Sequence, residues 1–191
     1  MSAKVERKER TRAAIVASAC ALLRQRGIAG ARVADVMSGV GLTVGGFYAH
    51  FASKEALVDE AIRRTAAAMR AKLFERIEEK PAPARAEVVL KRYLSAAHRD
   101  DAANGCPMPA VVGEVSTMTP EHRDVLAEQI SDLADELARH VVKSDATTRR
   151  ATALGMIALM YGGISLARAV KGTDLSDEVL RACRAFGKGE R

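Results

Sequence analysis

The stretch from Ala31 to Lys54, ARVADVMSGVGLTVGGFYAHFASK, limits the folds open to this 191-residue chain more than any other segment. Its first part has apolar residues spaced as on one face of a short helix: Val33, Val36, Met37 and Val40. Gly41 suits the turn that ends this helix, and Thr43 is a good N-cap for a second short helix. Ser53 caps a third helix that begins at Lys54. Two short helices joined by a glycine turn predict a helix-turn-helix.

Polar groups gather on the outer side of the second short helix. Tyr48 and His50 can donate hydrogen bonds there, and Lys54 stands at the start of the next helix. Gly45 and Gly46 each cost a helix about 1 kcal/mol relative to alanine, so stability alone does not select them. A surface that lets the backbone approach a large partner does, as when a helix start enters a DNA major groove. A merely loose helix entrance is the alternative.

The sequence of residues 41–62, GLTVGGFYAHFASKEALVDEAI, resembles the DNA-binding signature of the TetR (tetracycline repressor) family. The glycine, the hydroxyl N-cap, the tyrosine, the His-Phe pair and Ser-Lys-Glu-x-Leu occur in the same order and spacing. The match covers residues 11–58, although Met37 and Gly39 stand where the family usually has alanine or another helix former. The resemblance implies a ligand-responsive transcriptional regulator, most often a repressor, that binds double-stranded DNA.

The excess positive charge lies in the same part of the chain. Residues 1–54 contain nine Lys and Arg against three Asp and Glu, a net charge of +6, while the remainder has 21 of each. A basic segment with a helix-turn-helix is typical of a phosphate-binding surface. We therefore predict DNA contacts from Arg32, Thr43, Val44, Gly45, Gly46, Tyr48, His50 and Lys54. For Arg32 an ordinary solvated arginine remains the competing interpretation.

Helical periodicity continues to the end of the chain and predicts an all-α fold of about nine helices. A first helix over residues 11–26 ends before Gly27, and a seven-turn helix runs over residues 54–80. We expect a helix-turn-helix DNA-binding domain at residues 1–53 and a helical ligand-binding and dimerisation domain at residues 54–191. The N-terminus lacks the apolar run of a secretory signal, so the protein is expected in the cytoplasm.

The segment 151–167, ATALGMIALMYGGISLA, carries no charge. It falls short of the roughly 20 residues that span a bilayer, so we predict no membrane helix. Burial of one face in the protomer and the other against a second copy satisfies its apolar surface, and the final helix over residues 175–187 completes the interface. TetR-like proteins dimerise in this way and bind a palindromic operator. The predicted homodimer contacts are Gly155, Leu159, Gly162, Gly163, Val179 and Phe186.

The family resemblance also implies a pocket for an unidentified small-molecule effector in the helical body. Its candidate residues are mostly apolar with a few polar tips, namely Met69, Phe74, Tyr93, His98, Met108, Met118 and Tyr161. Such a set suits a hydrophobic or aromatic effector. For any one of these residues, core packing is the alternative explanation.

Cys106 is a candidate redox site, because in NGCPMP it precedes Pro107 at a predicted helix N-terminus, where the helix field favours a thiolate. A cysteine-based sensor of oxidants or electrophiles is therefore an alternative function, with simple helix capping as the competing interpretation. A thiol enzyme using Cys106 with His98 or His122 as base lacks any diagnostic spacing, so we predict no catalytic residues. His98, Asp100, Asp101 and Cys106 fit no metal-ligand pattern. No metal and no cofactor is predicted.

Overall fold

The structure is a computed structural model of the chain, and it describes residues 3–101, 104–142 and 145–189. This part contains nine α-helices, four short 3-10 helices and no strand, which confirms the predicted all-α fold. The α-helices are α1 (Ala3–Gly30), α2 (Val33–Ser38), α3 (Lys54–Phe74), α4 (Arg85–Tyr93), α5 (Ala96–Asp100), α6 (Met108–Thr117), α7 (Arg123–Ala138), α8 (Ala146–Ala169) and α9 (Asp174–Lys188). The 3-10 helices are Val44–Ala49, Ile77–Glu79, Ala82–Ala84 and Pro120–His122.

The chain forms two compact units, and neither is continuous in sequence. The first unit comprises residues 1–67 and 106–126, and the second comprises residues 68–105 and 127–191. The boundary therefore differs from the one expected after residue 53. The start of α3 and the whole of α6 belong to the first unit with the helix-turn-helix.

Helix α1 begins at Ala3, eight residues before the expected start at residue 11. Gly27 interrupts the helix as expected, with φ 68° and ψ −167°, and a further turn runs to Gly30. The carboxylate of Glu114 on α6 accepts hydrogen bonds from the backbone N–H groups of Ile28 (3.0 Å) and Ala29 (2.7 Å). The interruption in α1 thus holds α6 through two charge-assisted hydrogen bonds.

The core of the first unit lies among α1, α2, α6 and the start of α3. Its fully buried side chains include Ile15, Leu23, Ile28, Met37, Phe47, Leu57, Ile62 and Met108. His122, which follows α6, is buried as well, and its Nδ1 lies 2.7 Å from Oδ1 of Asp59 on α3. A buried polar ring needs such a partner, so this pair fixes the segment after α6 on α3.

Helix α3 is shorter than the sequence indicated. It has 21 residues and ends at Phe74, after about six turns, rather than at residue 80. Arg76 adopts a left-handed conformation with φ 50°, which ends the helix before the 3-10 turn Ile77–Glu79. The guanidinium of Arg85 then donates to the backbone carbonyls of Glu78 (2.9 Å) and Lys80 (3.0 Å), which stabilises this irregular segment.

Helices α8 and α9 make the most extensive helix–helix contact of the second unit, and α4 packs against both. Gly163 allows this approach, because a Cβ atom there would lie 2.8 Å from Cδ2 of Leu94 and 2.9 Å from Sγ of Cys183. Gly163 is therefore a core residue of the protomer. Its expected place in a dimer interface does not agree with this position.

Helix α8 is long and apolar enough, by length and composition alone, to cross a membrane. A core helix of a soluble protein meets the same test, and Ala153, Ile157, Met160 and Ile164 of α8 are buried within the second unit. Its length and composition are therefore no evidence of a membrane span.

Candidate functional site

The helix-turn-helix begins with a close contact between α1 and α2. Val36 and Met37 of α2 are fully buried, and the hydroxyl of Ser18 on α1 donates to the Val36 carbonyl at 2.9 Å. A Cβ atom on Gly39 would lie 2.6 Å from Oγ of Ser18. Both departures from the usual family residues, Met37 and Gly39, thus have a packing role: one fills the core and the other leaves room for α1.

The second short helix, Val44–Ala49, is a 3-10 helix rather than an α-helix. Phe47 anchors its inner side, since its ring is fully buried and stacks on Phe51 with 5.7 Å between ring centroids. Thr43 precedes the helix in an extended conformation, as expected of an N-cap residue, but its side chain makes no capping hydrogen bond. The hydroxyl of Thr43 is therefore available to a partner.

Arg12 links three elements of the first unit. Its guanidinium pairs with both carboxylate oxygens of Glu60 on α3, with Nη1 2.6 Å from Oε1, and lies 4.6 Å from the centroid of the Phe51 ring. Both partners are about one-third exposed, so the ion pair contributes little to stability. Its effect is positional, because it ties α1 to α3 next to Phe51.

The predicted DNA contacts form the outer surface of this unit. Val44 and Tyr48 are 47% and 71% exposed, and Thr43, Gly45 and Gly46 are exposed beside them. Arg32 is exposed at the start of α2, while His50 and Lys54 are half-buried. Exposed apolar and aromatic side chains are suited to contact base edges, and cationic side chains are suited to bind phosphates.

Nothing within the described part of the protein requires glycine at positions 45 and 46. Neither residue has a positive φ. A Cβ atom on Gly45 would lie no closer than 4.0 Å to a neighbour, and one on Gly46 no closer than 3.8 Å, to the flexible end of Met37. The glycines therefore leave space outside the protein, as a close approach by a large partner demands.

The second unit contains a cavity of about 490 Å³. Met69 and His98, both predicted, line it together with residues that were not predicted from the sequence, including Lys72, Leu73 and Arg92. Met69, Lys72 and Leu73 follow the i, i+3, i+4 spacing of one helix face, and this pattern was the available signal. The expected pocket was mostly apolar, so the charged lining residues Lys72 and Arg92 were not among the predicted ones.

The other predicted pocket residues lie elsewhere. Tyr93 is fully buried, with its ring 4.5 Å from His98 and 5.8 Å from Tyr161 between centroids, so both tyrosines pack behind the cavity wall. Phe74 stacks on His140 at 5.4 Å. In the first unit, Met108 is a core residue and Met118 is 67% exposed. None of these five is among the residues that line the cavity.

An exposed strip of small and apolar residues runs along α8 and α9. Gly155 and Gly162 are exposed, and a Cβ atom on either would have no neighbour within 4 Å. Phe186 of α9 is 74% exposed, while Leu159 and Val179 are half-buried. Such a strip is suited to contact with another helical surface.

Cys20 and Cys106 are buried, and Cys183 is half-buried. Cys106 immediately precedes Pro107, the N-cap of α6, as predicted, but it is only 3% exposed. Burial raises the pKa values of the Cys20 and Cys183 thiols. Within the described ranges, no group of three or more His, Cys, Asp or Glu side chains could hold a metal ion.

Two family models match the chain. Residues 15–61 match the model described as bacterial regulatory proteins, tetR family, and residues 82–183 match the model described as tetracyclin repressor-like, C-terminal domain. The first match covers the helix-turn-helix, and the second alone covers more than half of the chain. No curated protein matches the sequence.

Solved structures share the fold over nearly the whole chain. A TetR-family transcriptional regulator from Cytophaga hutchinsonii is 23% identical, with coverage of 96% of both chains and a TM-score of 0.76. A putative TetR-family regulator from Rhodococcus sp. is 24% identical, covering 93% of this chain and 94% of its own, with a TM-score of 0.73. The reduced form of E. coli NemR is 21% identical over 94% and 95% of the two chains, with a TM-score of 0.73. With its helix-turn-helix and body both matched, the chain belongs to the TetR family of DNA-binding transcriptional regulators.

Proposed function

We propose that the protein is a repressor that binds a palindromic operator as a homodimer and is released from it by a small molecule. The observation that carries the proposal is the exposed surface of the 3-10 helix Val44–Ala49. Its two glycines are required by no internal contact among the described residues, and it lies within residues 1–54, which carry a net charge of +6. A surface without side chains at these two positions lets the sugar-phosphate backbone of DNA come close to the protein.

Homodimerisation is supported by the exposed strip on α8 and α9. Gly155 and Gly162 permit close approach of a second helix, and Phe186 offers an aromatic side chain to bury. Two copies of the helix-turn-helix would then recognise two half-sites separated by about 34 to 36 Å or a multiple of it. The proposed contacts are Gly155, Leu159, Gly162, Val179 and Phe186.

Release by an effector is supported by the course of α3. This single helix begins at Lys54, a proposed DNA contact, and ends at Phe74, with Met69, Lys72 and Leu73 lining the cavity. A ligand that favours the non-binding conformation by about 3 kcal/mol would lower the operator affinity by about 150-fold. The protein would act in the cytoplasm and have no enzymatic activity.

The test is binding of the purified protein to DNA from upstream of its own gene. We expect a two-fold symmetric footprint and an affinity that falls steeply with salt, by about 0.9 in the log–log slope per neutralised phosphate. An equal affinity for that DNA and for random fragments would contradict the proposal.

Replacement of individual surface residues should separate affinity from specificity. Tyr48→Phe combined with Lys54→Ala removes a hydroxyl and a charge that are suited to phosphates, so binding should weaken about equally for all sequences. Val44→Ala removes methyl groups that can contact a thymine methyl. It should therefore change the binding free-energy difference between bases at that position by about 1 kcal/mol or more. Competition assays with a library of operator variants measure both. A sequence-dependent loss in the double variant would assign base contacts to Tyr48 or Lys54 instead.

A cysteine-based sensor is the second candidate, supported by the place of Cys106 immediately before α6 and by the fold shared with NemR, which was solved in a reduced form. If Cys106 is the sensor, Cys106→Ser should abolish release from DNA by oxidants or alkylating agents. Unchanged release would refute this role. Because Cys106 is almost fully buried, the reagent must be small.

A thiol enzyme has the least support. Nδ1 of His122 is engaged with Asp59, and Nδ1 of His98 lies 2.7 Å from the Tyr93 carbonyl oxygen. Both proposed bases thus have structural partners in their own units.

A further inference from the structure

Arg92 is the one half-buried group among the four charged side chains that line the cavity of the second unit; Lys72, Glu75 and Asp101 are exposed. Its Nη1 donates to the backbone carbonyl of Leu73 at 2.6 Å, which holds the guanidinium against the last turn of α3. No described carboxylate forms an ion pair with Arg92. A guanidinium has five N–H donors, so Arg92 can still bind a further acceptor.

The acidic residues of the lining compete weakly for this position. Glu75 and Asp101 are both exposed. Asp101 Oδ1 already accepts the backbone N–H of Asn104 at 3.2 Å and its side-chain amide at 3.0 Å. Lys72 adds a second cation to the lining and has no ion-pair partner in the described part of the chain. A molecule that enters the cavity therefore meets one cation held by a backbone hydrogen bond, Arg92, and a second, exposed cation, Lys72.

His98 is a further titratable side chain of the cavity lining. Its Nδ1 lies 2.7 Å from the Tyr93 carbonyl oxygen, and because a carbonyl only accepts, this nitrogen carries the proton. Burial lowers the pKa of His98, the carbonyl contact opposes this, and the charges of Arg168 and Lys72 lower it further. The imidazole is thus neutral at neutral pH. Asp101 acts in the opposite direction and raises the pKa, so burial is the main cause of the neutral state.

The cavity also offers apolar surface and adequate room. Met69 and Leu73 are buried side chains of α3 that line it, and about 490 Å³ accommodates a small organic molecule. We infer that the effector is a small amphipathic anion, whose carboxylate, sulfonate or phosphate group pairs with Arg92 while its apolar body packs on Met69 and Leu73. This inference rests on the proposed function, in which the cavity is the effector site, and it adds an anionic group to the hydrophobic or aromatic effector expected from sequence.

Two fluorescent probes with the same ring system test the inference on the full-length protein: anionic 8-anilinonaphthalene-1-sulfonate and uncharged N-phenyl-1-naphthylamine. We expect Arg92→Gln to weaken binding of the sulfonate about tenfold or more and to leave the uncharged probe unaffected. Arg92→Lys, which keeps the charge, should retain most of the affinity. Lys91→Gln is the matched control, because Lys91 is the neighbouring cation, pairs with Glu87 and does not line the cavity.

Equal weakening of both probes by Arg92→Gln, or unchanged binding of the sulfonate, would overturn the inference. Thermal unfolding checks that Arg92→Gln folds. If Arg92→Gln does not fold, Lys72→Gln is the deciding variant, because this exposed side chain makes no hydrogen bond in the described structure. Its loss should still weaken binding of the sulfonate probe and not of the uncharged probe. DNA binding is measured separately with the upstream fragment. If Arg92 governs binding of the sulfonate probe but the protein shows no preference for the upstream fragment, the anion site is supported and the proposed function is overturned.

Discussion

Gly27→Ala should lower the free energy of unfolding by about 3 kcal/mol. With φ 68° and ψ −167°, Gly27 occupies a backbone region that is open almost only to glycine. A Cβ atom there would also lie 1.6 Å from Oε1 of Glu114, so this carboxylate must leave the N–H groups of Ile28 and Ala29. Backbone strain and the loss of two charge-assisted hydrogen bonds then act together. Urea denaturation measures the effect.

Gly113→Ala provides the control for this prediction. Gly113 lies next to Glu114 on α6, is exposed and has no positive φ, and a Cβ atom there would have no neighbour within 4 Å. Alanine there should be neutral or stabilising by up to about 1 kcal/mol. If Gly27→Ala were as well tolerated as Gly113→Ala, the interruption in α1 would not depend on glycine, and the role given to Glu114 would be wrong.

Replacement of both Gly45 and Gly46 by alanine should, unlike Gly27→Ala, leave the protein stable and weaken its binding to DNA. The open space around each Cβ position and the ordinary φ values predict an unchanged or slightly higher free energy of unfolding. DNA affinity should nevertheless fall about tenfold or more, since two methyl groups would occupy space that we assign to DNA. Fluorescence anisotropy with an operator fragment, combined with urea denaturation, measures both quantities.

A gain in stability with a loss of affinity is what distinguishes this explanation from a loose helix entrance. Gly113→Ala again serves as the control, because it adds the same methyl group to the same unit away from the 3-10 helix. Full DNA affinity in the Gly45→Ala, Gly46→Ala variant would show that the two glycines only loosen the start of the helix.

Most of the helix-turn-helix could be predicted from sequence, because local signals determine it. The apolar spacing of Val36 and Met37, the turn at Gly41 and the extended residue Thr43 before the second helix are each determined within a few residues. The 3-10 geometry of Val44–Ala49 was not predicted, since consecutive glycines carry no side-chain periodicity from which to tell it from an α-helix.

The errors lie where distant residues decide the outcome. Helix α3 ends at Phe74 although an apolar stripe continues beyond it, because Arg76 turns left-handed and Arg85 binds the carbonyls that follow. A small residue such as Gly163 is typical of a helix–helix interface. Gly163 does lie in one, but its neighbours there are Leu94 and Cys183 of the same protomer. Part of the cavity lining escaped prediction for the same reason: Arg92 is held there by a contact with Leu73, 19 residues earlier in the chain.

The contact between Glu114 and the end of α1 has a consequence for the order in which the protein can be made. The helix-turn-helix is complete in sequence at residue 54, yet its unit also needs residues 106–126. A ribosome must therefore synthesise α4, α5 and α6 before Ile28 and Ala29 receive their carboxylate and Asp59 its histidine. The first unit is thus complete only after residue 122 has been synthesised, and a nascent or truncated N-terminal fragment lacks these contacts.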